Sequence, residues 1–381
     1  MYRLLCFILL GLYSCDNKET KSNHVLDKNM VYIDINDNSL PISQVIDSFW
    51  YIILESNDSI TTPLSNIDKL LIVDNYIYIL DVKYASVKVF DINGKYEHDI
   101  GALGVSKGLY TKISDIAYNK SHNTIFILCN LPKKRLLEYT INGRFIREIF
   151  LKNGATAIAL KSPNLFYYFL NNGGEGRYKD YNVLVTDSDN NVKDVFFNIP
   201  WNIDARIGFT GGLYTCGDSL YYNPPLSNVY YSLLDNGTRK SAYLISFGGD
   251  NLPSEFKSTN DMIQQIPKHS YLGKSLVMTS KFIGFNYIEK GGGRMQAYYN
   301  IKSKHIAKTD SSHNSMYSLF MGEIFQTNDT LITCCTVSML KKWLMKNKNS
   351  IKGNMTELYK DIINKNDHDN PILIFYKLKY F

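Results

Sequence analysis

Two polar loops of this 381-residue chain combine aromatic rings with charged side chains. The residues concerned are Arg177, Tyr178 and Tyr181 in the first loop (171–181), and Trp201, Asp204 and Arg206 in the second (200–206). A flat aromatic face can stack on a sugar or a peptide, while a neighbouring charge orients the ligand. We predict that these six residues bind such a ligand. The alternative is structural, with Trp201 packed beneath a sheet and Arg206 solvated, because Trp is usually well buried.

Catalytic and metal-binding patterns are sparse in this sequence. It contains no Gly-x-x-x-x-Gly-Lys, Gly-x-Ser-x-Gly or His-Glu-x-x-His motif, and its seven histidines are scattered. Residues 366–371 hold two aspartates around His368, but Asx side chains in such a segment bond to local backbone. We therefore predict no metal and no cofactor. A hydrolase or lyase acting on glycans or peptides in a central channel is the alternative, since its residues would be far apart in sequence.

The N-terminus has the pattern of a lipoprotein signal. Arg3 supplies a positive charge, residues 4–13 form a short apolar run, and Leu-Tyr-Ser-Cys (12–15) is the processing site. This run is too short to span a membrane, which needs about 20 apolar residues. We predict a signal peptide over 1–14, acylation of Cys15 and a flexible tether over 15–30. The body would then be anchored at the cell envelope, on the outer membrane, without crossing it; a plain secretory signal is the alternative.

Composition argues for strands and against nucleic acid. The chain has 29 Tyr and 19 Phe, and aromatic residues suit pleated, half-buried surfaces. The net charge of +6 is mild, and the few Lys-Arg clusters do not form the stripe that a nucleic-acid surface needs. Four cysteines remain after Cys15. Cys334 and Cys335 are adjacent and would point to opposite faces of a strand, so we expect buried free thiols.

A repeat organises the body of the chain. Residues 90–96 read Phe-Asp-Ile-Asn-Gly-Lys-Tyr, and residues 139–145 read Tyr-Thr-Ile-Asn-Gly-Arg-Phe. The 49 residues from Gly94 to Gly143 are the period of a propeller blade. Asn-Gly is the strongest signal for a two-residue hairpin turn in which both central residues have positive φ. We place blade one over 67–100 and blade two over 113–150.

Weaker copies and two helical insertions follow. Two strands are predicted in each of the next four blades. They are 165–170 and 183–186 in blade three, 218–222 and 229–233 in blade four, 282–288 and 295–301 in blade five, and 329–335 and 371–378 in blade six. The turns of blades three and four fall at 188–191 and at 236–237. Short helices are expected near 254–266, capped by Ser254 or Asn260, and within 338–366, with an apolar stripe packed against the ring. N-terminal strands are expected over 31–35 and 49–55, and a strand from this terminus would complete the last blade, because closure protects edge strands.

These features resemble the six-bladed β-propeller lipoproteins of Bacteroidetes. The resemblance rests on the lipobox, on Leu-Glu-Ser-Asn-Asp-Ser (54–59), on the paired Asn-Gly repeats and on the terminal segment 370–378. More distantly, blades one and two are similar to NHL-type repeats. The resemblance implies an all-β, six-bladed propeller of four-stranded antiparallel blades, with 31–381 as one domain, and it brings no catalytic motif. We predict a monomeric body that binds a glycan, a peptide or an envelope protein, rather than an enzyme.

Overall fold

The computed structural model describes residues 30–37, 39–56, 63–198, 210–234, 239–309, 322–347 and 354–381. Three strands come first in the chain: β1 (Val31–Asp34), β2 (Ser39–Pro41) and β3 (Ile46–Ile53). All the described strands belong to six sheets, which are the blades of a propeller.

The first three blades are four-stranded and take their strands in chain order. Blade one contains β4 (Lys69–Val73), β5 (Tyr76–Asp81), β6 (Ser86–Asp91) and β7 (Tyr96–Asp99). Blade two contains β8 (Asp115–Asn119), β9 (Thr124–Cys129), β10 (Arg135–Thr140) and β11 (Phe145–Phe150). Blade three contains β12 (Ala157–Ser162), β13 (Leu165–Phe169), β14 (Tyr181–Thr186) and β15 (Val192–Asn198).

The remaining blades recruit the N-terminal strands. Blade four contains β16 (Gly212–Cys216), β17 (Ser219–Asn223), β18 (Val229–Leu233) and β19 (Arg239–Ser246). Blade five contains β20 (Tyr271–Met278), β21 (Phe282–Ile288), β22 (Arg294–Asn300) and β23 (Ile306–Lys308). Blade six contains β24 (Phe325–Thr327), β25 (Thr330–Cys335), β26 (Ile372–Leu378) and, outermost, β3.

The blades close into a ring through their inner strands. The first strand of each blade contacts the first strand of the next, and β24 of blade six contacts β4 of blade one. This confirms the all-β, six-bladed propeller of four-stranded antiparallel blades. We call the face on which the inner strands begin the upper face, and the opposite one the lower face.

The N-terminal segment fastens three blades from outside. Of the two predicted N-terminal strands, β3 completes the last blade by pairing antiparallel with β26, with Tyr51 opposite Ile374. The other, β1, adds a fifth, parallel strand to blade four, and β2, which was not predicted, does so for blade five. These additions cover two outer edges that would otherwise expose unpaired backbone groups.

The Asn-Gly turns differ from the predicted type. In the described turns of blades one and two, positive φ falls on Gly94 and Gly143 and not on the preceding asparagines. Asp91 and Lys95 are hydrogen-bonded across three intervening residues, with a register shift beside them. The turn is therefore a three-residue loop with a bulge, and Asn190 takes the glycine position in blade three at φ 62°. The turn predicted at 236–237 lies outside the described residues.

Apolar clusters between neighbouring blades form the core, and many of the tyrosines lie in them. The hydroxyls of Tyr298 in blade five and Tyr376 in blade six are 2.6 Å apart, which satisfies two buried polar groups. Burial raises the pKa of both hydroxyls.

The described part of the chain contains three α-helices, which lie in the connections between strands. They are α1 (Thr259–Gln265), α2 (Val337–Lys346) and α3 (Asn354–Ile363). The cap of α1 is Ser258, whose Oγ accepts from the amide of Asp261, rather than Ser254 or Asn260. The stripe on α3 packs against the ring as predicted, with Leu358 and Ile362 fully buried. Within the described ranges, no helix has the length and apolar character needed to cross a membrane.

Candidate functional site

The first predicted binding loop lies on the upper face, between β13 and β14. Arg177 is exposed, and its guanidinium lies over the ring of Tyr178 at 4.8 Å from the centroid. Tyr178 itself is only 8% exposed and packs in the core between blades two and three. Tyr181 begins β14 and is half-buried. Burial leaves Tyr178 little surface for a ligand, so its role is to support Arg177; ligand binding by Arg177 and Tyr181 stays a prediction.

Contacts with blade two hold this loop in place. Lys134 forms an ion pair with Glu175, whose backbone amide donates to Asn153 Oδ1 at 3.0 Å. The amide of Asn172 donates to Asn182 Oδ1 at 2.7 Å. The loop is therefore an ordered part of the upper face. The second predicted loop, with Trp201, Asp204 and Arg206, lies outside the described residues, as does Cys15.

A second group of polar residues surrounds the upper end of the central channel. We call it the channel mouth, and its members come from blades one, four, five and six: Asp68, Tyr214, Lys274, Arg294 and Glu323. Asp68, Arg294 and Glu323 lie at the upper end of a strand or in the connection just before it, whereas Tyr214 and Lys274 lie farther along the inner strands β16 and β20. The closed ring brings these strands together around the channel.

A bulge in blade five positions the lysine of the channel mouth. The register of β20 against β21 shifts between Leu272 and Leu276, so residues 273–275 leave the ladder. The Oδ1 of Asn286 replaces a ladder partner by accepting the amide of residue 275 at 2.9 Å. Bulges of this kind often re-aim a side chain beside a functional site. In this case the lysine at the bulge, Lys274, is exposed to solvent.

The segment before β24 positions the carboxylate. The backbone oxygen of Gly322 accepts from Gln296 Nε2 at 2.7 Å, and the amide of Ile324 donates to Ser275 Oγ at 3.3 Å. Glu323 lies between these two anchored residues and is half-buried. The bulge that carries Lys274 is therefore hydrogen-bonded to the segment that carries Glu323.

The charges of the channel mouth affect one another. Burial raises the pKa of Glu323, Lys274 and Arg294 lower it, and the carboxylate of Asp68 raises it. The net direction is upward. A half-buried carboxyl with a raised pKa in a cleft is a common mark of a functional site.

Tyr214 adds an unsatisfied hydroxyl to this region. It is 9% exposed, and no described residue forms a hydrogen bond with its OH group. Burial raises the pKa of Tyr214, and the nearby charge of Glu323 adds to the effect. Because this oxygen has no exposed surface, Tyr214, like Tyr178, supports the region by packing rather than by presenting its hydroxyl to a ligand.

Metal-binding groups do not assemble in the part of the chain that the structure describes. No three His, Cys, Asp or Glu side chains in these ranges come together as a metal site would require. The segment 366–371 is a local turn: Asp369 Oδ2 accepts the amide of Asn366, and Asn366 Oδ1 accepts that of His368. Asp367 is paired with Lys341 at 3.0 Å.

Sequence reasoning missed the channel mouth. Its residues are separated by up to 255 positions, from Asp68 to Glu323, and only the ring geometry brings them together. The bulge had no sequence signal beyond Gly273, where a Cβ would lie 2.3 Å from Asn286 Oδ1. No strand was predicted over 271–278, so the pattern of a glycine followed by a charged residue could not be read as a strand bulge.

Comparison with known proteins identifies the family. Residues 30–377 match the family model described as a domain of unknown function, DUF4934. The chain belongs to the DUF4934 family. No curated protein matches its sequence.

Two solved structures from Bacteroides are similar to this DUF4934 chain. One is a protein of Bacteroides fragilis described as exported, with a TM-score of 0.78, 18% identity, and coverage of 92% of this chain and 100% of that one. The other is a member of the DUF4221 family from Bacteroides vulgatus, with a TM-score of 0.56, 10% identity, and coverage of 88% and 97%. At these identities the likeness concerns the fold. It agrees with the predicted resemblance to Bacteroidetes propellers.

Proposed function

We propose that this DUF4934 protein is a binding module of the cell envelope whose ligand lies over the channel mouth. The observation that carries the proposal is the convergence of Lys274 and Glu323 from neighbouring blades, in a region where Asp68 and Arg294 add further charges. Opposite charges on elements that hydrogen bonds hold in place offer directional contacts at little cost in conformational entropy. A peptide or a glycan that carries charged groups matches this set.

The upper loops extend the proposed surface. Arg177 is exposed on the same face, on a loop that blade two holds in place. Loops on a rigid scaffold are where binding concentrates, which supports a ligand that reaches from the channel towards blade three.

The location at the envelope is part of the proposal. The lipobox pattern supports acylation of Cys15, and the similar protein of Bacteroides fragilis is described as exported. Several acyl chains would anchor the chain stably, where one chain alone would bind only reversibly. Mass spectrometry of the purified protein would test this, with a diacylglyceryl group expected on Cys15 and none on a Cys15→Ser variant.

Binding is tested with glycan and peptide arrays probed with the full chain carrying Cys15→Ser. We expect selective binding that Lys274→Ala and Glu323→Gln each weaken by about tenfold, as for the loss of one charge-assisted hydrogen bond. Lys120→Ala is the matched control, because Lys120 is an exposed lysine on the lower face. Equal binding by all variants would reject the channel mouth as the site.

One observation favours catalysis as a second candidate. The raised pKa of Glu323 is a property of general acids, which are most effective when their pKa lies near the working pH. A hydrolase or lyase would cleave an array ligand during prolonged incubation, and Glu323→Gln would abolish the cleavage while leaving binding measurable. An intact ligand after incubation with the parent chain would leave the binding module as the function.

A further inference from the structure

A cleft opens on the lower face, at the seam where blade six meets blade one. Its volume is about 670 Å³, and it is open to solvent along one side. Ligand pockets in proteins have volumes of about 300–1,000 Å³, so the cleft is large enough for a small molecule or part of a polymer. The lining residues on which the argument depends are Trp50, Asp74, Ile92, Asn93, Thr327 and Thr330.

An exposed tryptophan forms one wall of the cleft. Trp50 lies on β3, the N-terminal strand that completes blade six, and 41% of it is exposed. Its ring stacks against Phe375, the residue opposite it on β26, with centroids 5.5 Å apart and an angle of 14°. This contact fixes the orientation of the ring. Large aromatic rings are usually well buried, so a fixed and exposed Trp beside a cavity points to a ligand that stacks on it.

Ile92 extends the apolar surface from the other side of the seam. It lies in the three-residue turn of blade one and is 40% exposed. The cleft therefore has apolar groups on both of its walls, one from each blade.

The polar groups of the cleft are mostly uncharged. Asn93 offers an amide, and Thr327 and Thr330 offer hydroxyls. Asp74, at the turn between β4 and β5, is the one charged residue in the lining. A ligand with strong negative charge would meet the carboxylate of Asp74 in that lining; the nearby ammonium of Lys377, on β26, lies over the Trp50 ring at 6.0 Å from its centroid. Neutral hydroxyl groups, in contrast, can donate to Asp74 and exchange hydrogen bonds with the amide and the threonines.

We propose that this seam cleft binds a neutral saccharide. A sugar ring has an apolar face that would stack on Trp50, while its hydroxyls would hydrogen-bond to Asp74, Asn93 and the two threonines. The open side would let the rest of an oligosaccharide continue into solvent. The site is independent of the proposed channel-mouth function, since the cleft is on the lower face and shares no residue with the channel mouth.

The proposal is tested by titrating the full chain carrying Cys15→Ser with neutral oligosaccharides. The probes are maltohexaose, cellohexaose, xylohexaose and mannohexaose, with a hexagalacturonate and a mixed peptide library as competing classes. Calorimetry gives the affinity, and tryptophan fluorescence reports on Trp50. We expect saturable binding of at least one neutral probe with a blue shift of the emission, because a stacked sugar excludes water from the ring.

Two variants and one control make the test specific. Trp50→Ala is expected to weaken binding by about tenfold or more, as for the loss of an aromatic stacking contact. Asp74→Asn is expected to weaken it by a smaller factor without strain, because Asn accepts the positive φ of 53° at this position. Tyr32→Ala removes an exposed aromatic residue from β1, on blade four, and should leave the affinity unchanged.

The outcomes separate this proposal from the one for the channel mouth. Lys274→Ala and Glu323→Gln should bind the neutral probe as the parent chain does. Binding of the acidic sugar or of peptides alone would overturn the proposal, and so would an affinity that neither Trp50→Ala nor Asp74→Asn reduces. If Trp50→Ala does not fold, as judged by circular dichroism, Asp74→Asn alone decides the result. The absence of binding to every neutral probe would also overturn it.

Discussion

Lys69 of blade one forms an ion pair with Asp115 of blade two, with Nζ 2.9 Å from Oδ1 and 3.0 Å from Oδ2. The carboxylate also accepts the amide of Ile158 in blade three at 2.8 Å. One buried side chain therefore joins the inner strands of three consecutive blades. In a ring whose blades contact only their neighbours, such a link couples the stability of one blade to that of the next.

Replacing the linking carboxylate should destabilise the ring. In Asp115→Ala, the amide of Ile158 and the ammonium of Lys69 both lose their acceptor. We expect the free energy of unfolding to fall by about 3 kcal/mol, the usual cost of leaving buried polar partners unpaired. Urea denaturation followed by circular dichroism measures this. Lys120→Ala is the control, because Lys120 pairs with Asp218 in an exposed ion pair whose loss should have no measurable effect. Equal stability of the two variants would contradict the structural role of Asp115.

The loss of stability on replacing a glycine by alanine should depend on the atoms near its Cα as well as on its φ angle. Gly94, Gly143 and Gly291 all have positive φ, of 87°, 79° and 91°. A Cβ at Gly94 would lie 2.4 Å from the backbone oxygen of Ile53, whereas at Gly143 the nearest atom, Asp99 O, would be 3.1 Å away, and at Gly291 the space is open.

We expect Gly291→Ala to cost about 1 kcal/mol from backbone strain alone. Gly143→Ala should cost more, and Gly94→Ala the most, since Ile53 O belongs to the backbone and cannot move aside. Thermal unfolding of the three variants tests the order. A Gly94→Ala protein as stable as Gly291→Ala would show that the closing strand is not packed on this turn.

The close approach of the preceding blade to Gly94 and Gly143 explains why the first two blades could be predicted from the sequence. The Asn-Gly turns of blades one and two were visible because each glycine meets two demands, a positive φ and the close approach of the preceding blade. In blade three Asn190 tolerates positive φ, so the turn keeps its conformation although the residue type differs. The strand β1 was predicted, but its pairing with blade four and the strand β2 were not, because a short parallel pairing with a distant edge leaves no local pattern.

The candidate sites were less predictable than the fold. The loop with Arg177 was visible as a polar interruption between strands, but the burial of Tyr178 depends on how blade two packs against blade three. Glu323 and Lys274 are isolated charges in the sequence, and become neighbours through the ring and the bulge. Trp50 lies in a predicted strand but was not recognised as a site residue, because the cleft beside it exists only where the last blade meets the first.

The buried tyrosines predict an abrupt loss of stability at alkaline pH. Burial raises the pKa of Tyr78, Tyr96 and Tyr243 to about 12 each, and a neighbouring group adds to the effect: Tyr76 for Tyr78, Asp99 for Tyr96 and Tyr221 for Tyr243. In the unfolded chain tyrosine titrates near pH 10. Between these values the unfolded state has lost protons that the folded state keeps, so the free energy of unfolding falls as pH rises.

We therefore expect the melting temperature to be constant below about pH 9.5 and to drop steeply above pH 10. Absorbance at 295 nm should show that these tyrosines ionise together with unfolding rather than before it. A gradual titration of most of the 29 tyrosines near pH 10 in a folded protein would contradict their burial.

The thiols should be unreactive in the native state. Burial raises the pKa of Cys129, Cys216 and Cys334 to about 12, and it raises the pKa of Cys335 as well. Because the thiolate is the reacting species, Ellman's reagent at pH 8 should modify these thiols slowly. In guanidinium above the unfolding transition all four should react rapidly. Below the transition, Cys334, which is half-buried, should react before the three buried thiols. Rapid native reaction of any of the four would contradict this packing.

Glu323 offers a test of whether the channel mouth serves folding or binding. Its pKa is raised by burial and by Asp68, and lowered by Lys274 and Arg294. A carboxyl whose pKa is higher in the folded than in the unfolded state stabilises the fold fully below its unfolded pKa, and this stabilisation is lost as pH rises through the folded pKa. At neutral pH the charge of Glu323 is thus unfavourable for folding.

Glu323→Gln should accordingly raise the melting temperature at pH 7 and have a vanishing effect towards pH 4. Glu255→Gln removes the same charge from an exposed position and controls for the net charge of the protein. Such a residue lowers stability at the working pH and supplies a charge at the channel mouth. A role in ligand binding explains it better than a role in folding, since sites of function commonly cost stability. If Glu323→Gln instead destabilises the protein at pH 7, Glu323 is a structural partner of Lys274, and the binding surface must be sought on the loop that carries Arg177.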